Sequence, residues 1–348
     1  MNNRYYFLAT LIFLLAACGD PGKKETTSDE ARAVAAKTYP TAGTVERLDP
    51  QLDELISTTA KIEVLTGEEF LWSEGPLWVE ELDAVIFSDV PQNKIFQWDE
   101  REGLKLYLTP AGTNGQDVSP NESGSNGLTM NPQRQLVLAQ HGNRQVSVMD
   151  AGLSQPEAKF TSIAGAFGGK KLNSPNDVIY DSKGNLYFTD PPYGLNGQDE
   201  SSDKEQDING VYKVDTEGNI TLLTDQLTRP NGLALSPDEK TLYVANSDPE
   251  RAIWMAYEMS EEGVTSEKLF FDATSMVPEK KGLPDGLKVD DKGYIYATGP
   301  GGVLVFDPTG KHLGTVNTDQ ATANCAFNAD KSALYMTAHK YLMRIKLL

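Results

Sequence analysis

Along most of the chain, apolar residues come in short bursts bounded by turn formers, as in Ala84-Val-Ile-Phe87, Leu136-Val-Leu-Ala139 and Leu186-Tyr-Phe188. No apolar stripe at helical spacing runs long enough to predict a long amphipathic helix. Short apolar runs punctuated by Gly, Pro, Asn and Asp predict strands joined by tight turns, hence an all-β protein. Hairpin chemistry sits between paired bursts, in Asp181-Ser-Lys-Gly-Asn185, Ser236-Pro-Asp-Glu-Lys240 and Asp290-Asp-Lys-Gly293.

The bursts repeat. A polar residue beside Gly or Pro, an apolar stretch, a turn and a second strand ending in small or polar residues can be written six times, starting at Glu74, Asn126, Asn176, Asn231, Asp285 and Asn324. The intervals are 52, 50, 55, 54 and 39 residues. Further short strands follow at Lys94–Trp98, Gln145–Met149, Gly210–Val214, Trp254–Tyr257 and Gly302–Phe306. A period near 50 with about four strands per unit predicts a six-bladed β-propeller. The last copy ends on the chain terminus with Tyr341–Leu347 as its third strand, and Lys61–Thr66 is expected to supply the fourth. That pairing would close the ring and leave no free edge between the first and last blades.

This arrangement nominates a site. First strands of a propeller line its central channel, so the six leading residues converge around one axis at one mouth, and all six are carboxylate or amide. Most need no ligand to explain them, because Asn-Gly and Asp-Gly turn a chain at low cost. Glu74 breaks that account, since Glu is a poor turn former. Two carboxylates, Glu74 and Asp285, among amide oxygens suit a divalent cation with hard ligands, most naturally Ca2+, with Zn2+, Mg2+ or Mn2+ also compatible. Without a cation the two would repel in a partly dehydrated channel. Second strands return to the same mouth, so Ser88-Asp89, Gln140-His141, Thr189-Asp190, Asn246-Ser247, Thr298-Gly299 and Ala338-His339 would wall a pocket. His141 is a candidate for substrate contact, His339 for contact or rim, and His312, after the Asp307-Pro-Thr-Gly310 turn, is expected to face solvent.

Composition narrows the chemistry. With 50 Asp and Glu against 31 Lys and Arg, the net charge of −19 argues against nucleic-acid binding, and the acidity reads as solvated surface. Two Cys, three His and no H-E-x-x-H exclude a zinc cluster or zincin site, so the chemistry rests on oxygen groups. Gly165-Ala-Phe-Gly-Gly169 and Gly299-Pro-Gly-Gly302 lack the strand-to-helix setting of a nucleotide loop, and no G-x-S-x-G is present. At the N-terminus, Arg4 precedes the apolar run Phe7–Leu15, too short to span a bilayer, and Leu15-Ala-Ala-Cys18 follows. This resembles a lipobox: residues 1–17 would be removed as a signal peptide and Cys18 acylated, several chains giving a firm anchor. Removal takes away Arg4 and no acid, moving the net charge from −19 to −20. Residues 18–60 show no sustained alternation and read as a tether, with a short helix around 30–37, leading to a propeller over 61–348. Cys325 is then unpaired and expected to be a buried small hydrophobe. The expectation is a monomer on a bacterial membrane, facing the periplasm or exterior.

Several stretches carry a family resemblance: Ser73-Glu-Gly-Pro-Leu-Trp78, Leu172-Asn-Ser-Pro-Asn-Asp177, Phe188-Thr-Asp-Pro-Pro-Tyr-Gly194, Arg229-Pro-Asn-Gly232 and Leu283-Pro-Asp-Gly-Leu287. Spread over all six repeats from about residue 62 to 348, they resemble the senescence-marker-protein, gluconolactonase and luciferin-regenerating-enzyme family, most nearly its bacterial gluconolactonases. The resemblance implies one catalytic divalent ion, usually Ca2+, with ligands at Glu74, Asn176, Asn231 and Asp285. It also implies hydrolysis of a sugar lactone such as D-glucono-1,5-lactone, with Asp285 as acid and base. Asn126 and Asn324 would stand beside the ligands, and Asn126, His141, Asp190 and Ser247 are the candidate substrate contacts. One departure matters: animal members carry an Arg where this chain has Ser174, which leaves the lactone itself open. Two rival readings are phosphotriester hydrolysis on the same site and a non-catalytic lipoprotein that binds a small ligand.

The anchor is directly testable. Cys18→Ser is expected to move the protein from the membrane to the soluble fraction and to abolish metabolic labelling by a fatty acid; unchanged membrane retention refutes acylation at Cys18.

Overall fold

The computed structural model describes residues 37–113 and 122–348. The signal peptide, the Cys18 lipidation site and the expected helix, save for Lys37, lie outside the described residues. No helix among the described residues is long and apolar enough to cross a membrane.

Thr38–Leu348 form one compact unit, a six-bladed β-propeller with four antiparallel strands in each blade and a fifth on blade 5. Blade 1 runs through Ser73–Val79, Ala84–Asp89, Lys94–Asp99 and Gly103–Leu108, and blade 2 through Ser125–Met130, Leu136–Gln140, Gln145–Met149 and Phe160–Ala164. Blade 3 comprises Val178–Tyr180, Leu186–Asp190, Gly210–Val214 and Ile220–Thr224, and blade 4 Pro230–Leu235, Thr241–Asp248, Arg251–Ser260 and Gly263–Asp272. Blade 5 uses Leu287–Val289, Ile295–Gly299, Gly302–Phe306 and His312–Asn317, and blade 6 Thr322–Phe327, Ala333–Ala338 and Tyr341–Lys346. Among the described residues there is no α-helix, only short 3-10 turns.

The core is a ring of six apolar clusters, one at each junction between neighbouring blades. Ile86 of blade 1 packs with Leu136 and Leu138 of blade 2, and Trp254 of blade 4 with Leu304 and Phe306 of blade 5. Blades are covered on both faces, so second strands such as Ala84–Asp89 and Leu136–Gln140 are buried throughout. This is why the sequence shows unbroken apolar bursts: strands buried on both faces need no polar side.

Closure occurs as the repeat requires. Ile62–Gly67 pairs antiparallel with Tyr341–Lys346, completing blade 6 with its outermost strand. Arg344 latches the seam: its guanidinium meets Glu63 of the closing strand at 2.6 Å and Glu100, in the turn between the third and fourth strands of blade 1, at 2.5 Å. It also lies over the rings of Tyr39, Trp98 and Tyr335 at 5.5 to 5.9 Å, the combined carboxylate and ring contact that suits a planar guanidinium.

Two expectations are corrected. The tether boundary at residue 60 is too late, because Thr44–Arg47 adds a fifth strand to blade 5 against His312–Asn317. The 3-10 turn Pro50–Glu54 follows it and, with the next residues, buries Leu52, Leu55 and Ile56 in the cluster between blades 5 and 6. These anchors are too sparse for an alternation pattern, yet each fills a gap at the rim of an existing core. His312 does not face solvent: it is partly buried, its ring 5.2 Å from Phe306 and 5.7 Å from Phe271, with Nε2 3.0 Å from the Gly314 carbonyl oxygen. Cys325 is free and fully buried, its thiol pushed up to about 12 by burial.

At the axis the first strands nearly touch. A Cβ on Gly232 would lie 2.3 Å from the Asp285 carbonyl oxygen, which is backbone and cannot yield. Gly232→Ala is therefore expected to destabilise the fold by about 1–3 kcal/mol, the usual range for overpacking, read as a lower urea midpoint. A midpoint unchanged from the parent would show that the ring relaxes freely.

Candidate active site

The six leading residues do gather at one mouth, and the glycine after four of them shows how. A Cβ on Gly75 would lie 2.1 Å from the Asn126 carbonyl oxygen; on Gly127, 2.8 Å from that of Asn176; on Gly286, 1.9 Å from Asn324 Cγ. With Gly232 against Asp285, each glycine receives the next blade's leading residue where a side chain would stand. Glu74, Asn126, Asn176, Asn231 and Asn324 are all at least 95 % buried. Asp285 is only partly covered, because it also lines a cavity of about 410 Å3 with Trp72, Ser247, Leu283 and Thr322. Two larger clefts, of about 500 and 430 Å3, lie on the outer blade surfaces and contain none of the leading residues.

Glu74 is held by two donors: the Trp72 indole N–H at 3.3 Å to Oε1 and the Gly75 N–H at 3.1 Å to Oε2. Burial, with the charges of Asp177 and Glu122, nevertheless raises its pKa above the usual carboxylate range. Asp285 is raised well above its ordinary value by burial, then by Glu74, Asp177 and Glu122. Its Oδ1 is buried with no hydrogen-bond partner. Among the described residues, two further carboxylates, Asp177 and Glu122, thus act on the expected pair Glu74 and Asp285. Asp177 was legible after the fact: it follows Asn176 where four of the other copies place Gly. Its Oδ2 is likewise buried and unpartnered. Glu122 precedes its blade's leading residue by four positions and had no signal in the repeat.

The second-strand ends divide into two functions. Hydroxyls of the first residue in a pair tie the central strands together: Ser88 Oγ donates to the Asn126 carbonyl oxygen at 2.9 Å, and Thr298 Oγ1 to that of Ala323 at 2.8 Å. Asp89, Asp190 and Asn246 instead clamp the loop that leads into their own blade. Asp89 accepts the Leu71 and Trp72 N–H groups, and Asn246 Oδ1 accepts that of Arg229 at 2.8 Å. Asp190 accepts the N–H groups of Asn173 at 2.7 Å and Ser174 at 2.8 Å. Asp190 is therefore corrected from substrate contact to loop clamp: both oxygens are engaged and the side chain is fully buried, with burial pushing its pKa to about 7.

Ser247 borders the cavity. His141 is fully buried, its Nδ1 3.3 Å from Glu122 Oε2 and both ring nitrogens without a hydrogen bond. His339 stands at the rim, its ring 5.5 Å from Trp72. Asn324 is engaged locally: its Oδ1 accepts the Cys325 N–H at 2.8 Å. Ser174 is engaged with its own loop: its hydroxyl donates to the Pro191 carbonyl oxygen at 2.6 Å and accepts the Gly194 N–H at 2.9 Å.

The family described as SMP-30/Gluconolactonase/LRE-like region matches residues 72–340. The chain belongs to this family. Within it, a gluconolactonase of Zymomonas mobilis is 35% identical over 314 residues, 88% of this chain and 86% of its own. A gluconolactonase structure from Xanthomonas campestris superimposes with a TM-score of 0.76 at 28% identity, covering 90% of this chain and 99% of the other. A calcium-binding regucalcin from Agrobacterium tumefaciens, with a TM-score of 0.62 at 18% identity over 90% and 97% of the chains, shares the fold.

The clamp reading of Asp190 has a measurable consequence. Asp190→Ala leaves two buried N–H groups unpaired and is expected to cost about 1–3 kcal/mol of stability, measured by urea unfolding. A loss under about 0.5 kcal/mol, the range of an ordinary surface substitution, would contradict it.

Proposed function

We propose that the protein hydrolyses sugar lactones of the glucono-1,5-lactone class to their open-chain acids. The observation that carries this reading is Asp285, a carboxylate partly open to the cavity, with one oxygen buried and unpartnered, beside Glu74 in a chain of the gluconolactonase family.

A divalent cation, most naturally Ca2+, would be held by Glu74, Asn176, Asn231 and Asp285. The unpartnered Asp285 oxygen and the mutual repulsion of Glu74 and Asp285 support that fit, since a cation relieves both. Bound there, it would polarise the lactone carbonyl. Asp285 takes a proton from the attacking water as the new carbon–oxygen bond forms, then returns it to the ring oxygen as the ester bond breaks. Glu74 is oriented for its role by the Trp72 indole and the Gly75 N–H, so its carboxylate need not reorganise during the reaction. Ser247, which borders the cavity, is read as a contact to sugar hydroxyls, and Trp72 and Leu283 supply an apolar wall; His141 and Asn126 are buried behind that lining. The N-terminal pattern is read as a Cys18 lipid anchor, which would tether a monomeric enzyme in the bacterial envelope.

Asp285→Asn is expected to lower kcat on glucono-1,5-lactone by about 100-fold or more, the scale of a lost general acid–base group, with the fold intact by circular dichroism. Near-parental turnover ends the assignment. Stripping metal with a chelator should abolish activity, and adding back Ca2+, Mg2+, Zn2+ or Mn2+ should restore it with at least one ion. Turnover that survives verified metal removal assigns the ion no catalytic part.

A further inference from the structure

The Pro191-Pro-Tyr-Gly194 segment leaves the end of the second strand of blade 3 and crosses toward the site. It is clamped at both ends. The Ser174 hydroxyl joins the Pro191 carbonyl to the Gly194 N–H, and the Leu195 N–H donates to the Pro192 carbonyl at 3.0 Å. Gly194 is wedged so tightly that a Cβ there would lie 2.7 Å from His141 Cβ and 2.8 Å from Ser174 Cβ. Two prolines restrict the backbone further. Tyr193 is thus carried on a rigid mount whose anchor, Ser174, is itself positioned by Asp190.

The phenol that this mount delivers ends in a buried hydroxyl with no hydrogen-bond partner. Ser247, Asn231 and Asp285 are its neighbours, none of them in hydrogen-bonding geometry with it. A buried unpaired hydroxyl is costly and calls for an explanation. Here it stands among two candidate ligands of the site and a residue that borders the cavity.

We propose that Tyr193 is a catalytic hydrogen-bond donor, its hydroxyl directed at the substrate oxygen that acquires negative charge when the lactone carbonyl is attacked. The proposal rests on the lactonase reading above. No proton is transferred: the phenol keeps its hydrogen and the bond strengthens as charge grows, so the effect appears in the transition state more than in substrate binding. Ser174 is then a positioning residue that acts only through Tyr193.

The experiment is steady-state kinetics on glucono-1,5-lactone with the metal-loaded full chain, comparing the parent, Tyr193→Phe, Ser174→Ala and the double variant. Tyr193→Phe is expected to lower kcat by about 10²–10³-fold, the scale of a lost oxyanion donor, with KM within about threefold and the thermal midpoint unchanged. Ser174→Ala should lower kcat by a smaller factor in the parent and have no further effect on the Tyr193→Phe background, because the two act as one unit. Retention of kcat within about twofold in Tyr193→Phe, or a loss carried wholly by KM, overturns the proposal. So does a Ser174→Ala effect that persists without the phenol, which marks a packing role. If the parent turns over no lactone at all, the lactonase reading falls and this role with it; parental turnover that ignores Tyr193→Phe removes only the role of Tyr193.

Discussion

Six first strands can surround one axis only if their backbones come into contact, and that close approach governs both the ring and the site at its mouth. It explains why the leading residue of four blades is followed by Gly: at Gly232 the space of a Cβ is filled by the next blade's carbonyl oxygen, and at Gly286 by the Asn324 side chain. The same packing forces side chains at the mouth to share a small volume from which water is largely excluded. Polar groups collected there must satisfy one another or hold a ligand. A functional site in this fold is therefore a by-product of closing the ring, tuned by which residues occupy the leading positions.

Electrostatics at the axis runs against stability. Glu74 and Asp285 are costly to ionise where they are buried, and the charges of Asp177 and Glu122 add to that cost, while oxygens of Asp285 and Asp177 have no hydrogen-bond partner. Such unsatisfied groups are tolerated where function requires them and are offset elsewhere. The offset here is the ring of apolar clusters between blades, together with the Arg344 latch at the seam. The second-strand ends supply rigidity between the two regions: Asp89, Asp190 and Asn246 fix the loops that set the leading residues, so the site is built on strands and clamped turns.

The N-terminal segment shows how a fold can recruit chain that carries no pattern of its own. Val45, Leu52, Leu55 and Ile56 dock on blades 5 and 6 because an exposed strand edge and a groove are already there to receive them. Tyr39 likewise gains its place from Arg344 and Trp98. Their order is imposed by the propeller, and nothing in their local spacing announces it.

Blade number, strand order, closure by residues near 62–67 and the convergence of Glu74, Asn126, Asn176, Asn231, Asp285 and Asn324 were all legible in the sequence. Each follows from a period, and a repeating unit that cannot bury its own faces must stack on its neighbours. Side-chain direction was not legible. Asp190 and Ser247 end neighbouring copies of one pattern, yet one turns back to clamp a loop while the other borders the cavity. Asp177, Glu122 and Tyr193 reach the axis from a glycine position, a connecting segment and a loop. How many units pack, and which end of each faces the mouth, can be read along the chain, because hydrophobic periodicity is written locally. Which polar groups are consumed by backbone donors, and which are left unpaired toward a ligand, is settled only in the folded chain, because it depends on distances between residues far apart in the sequence.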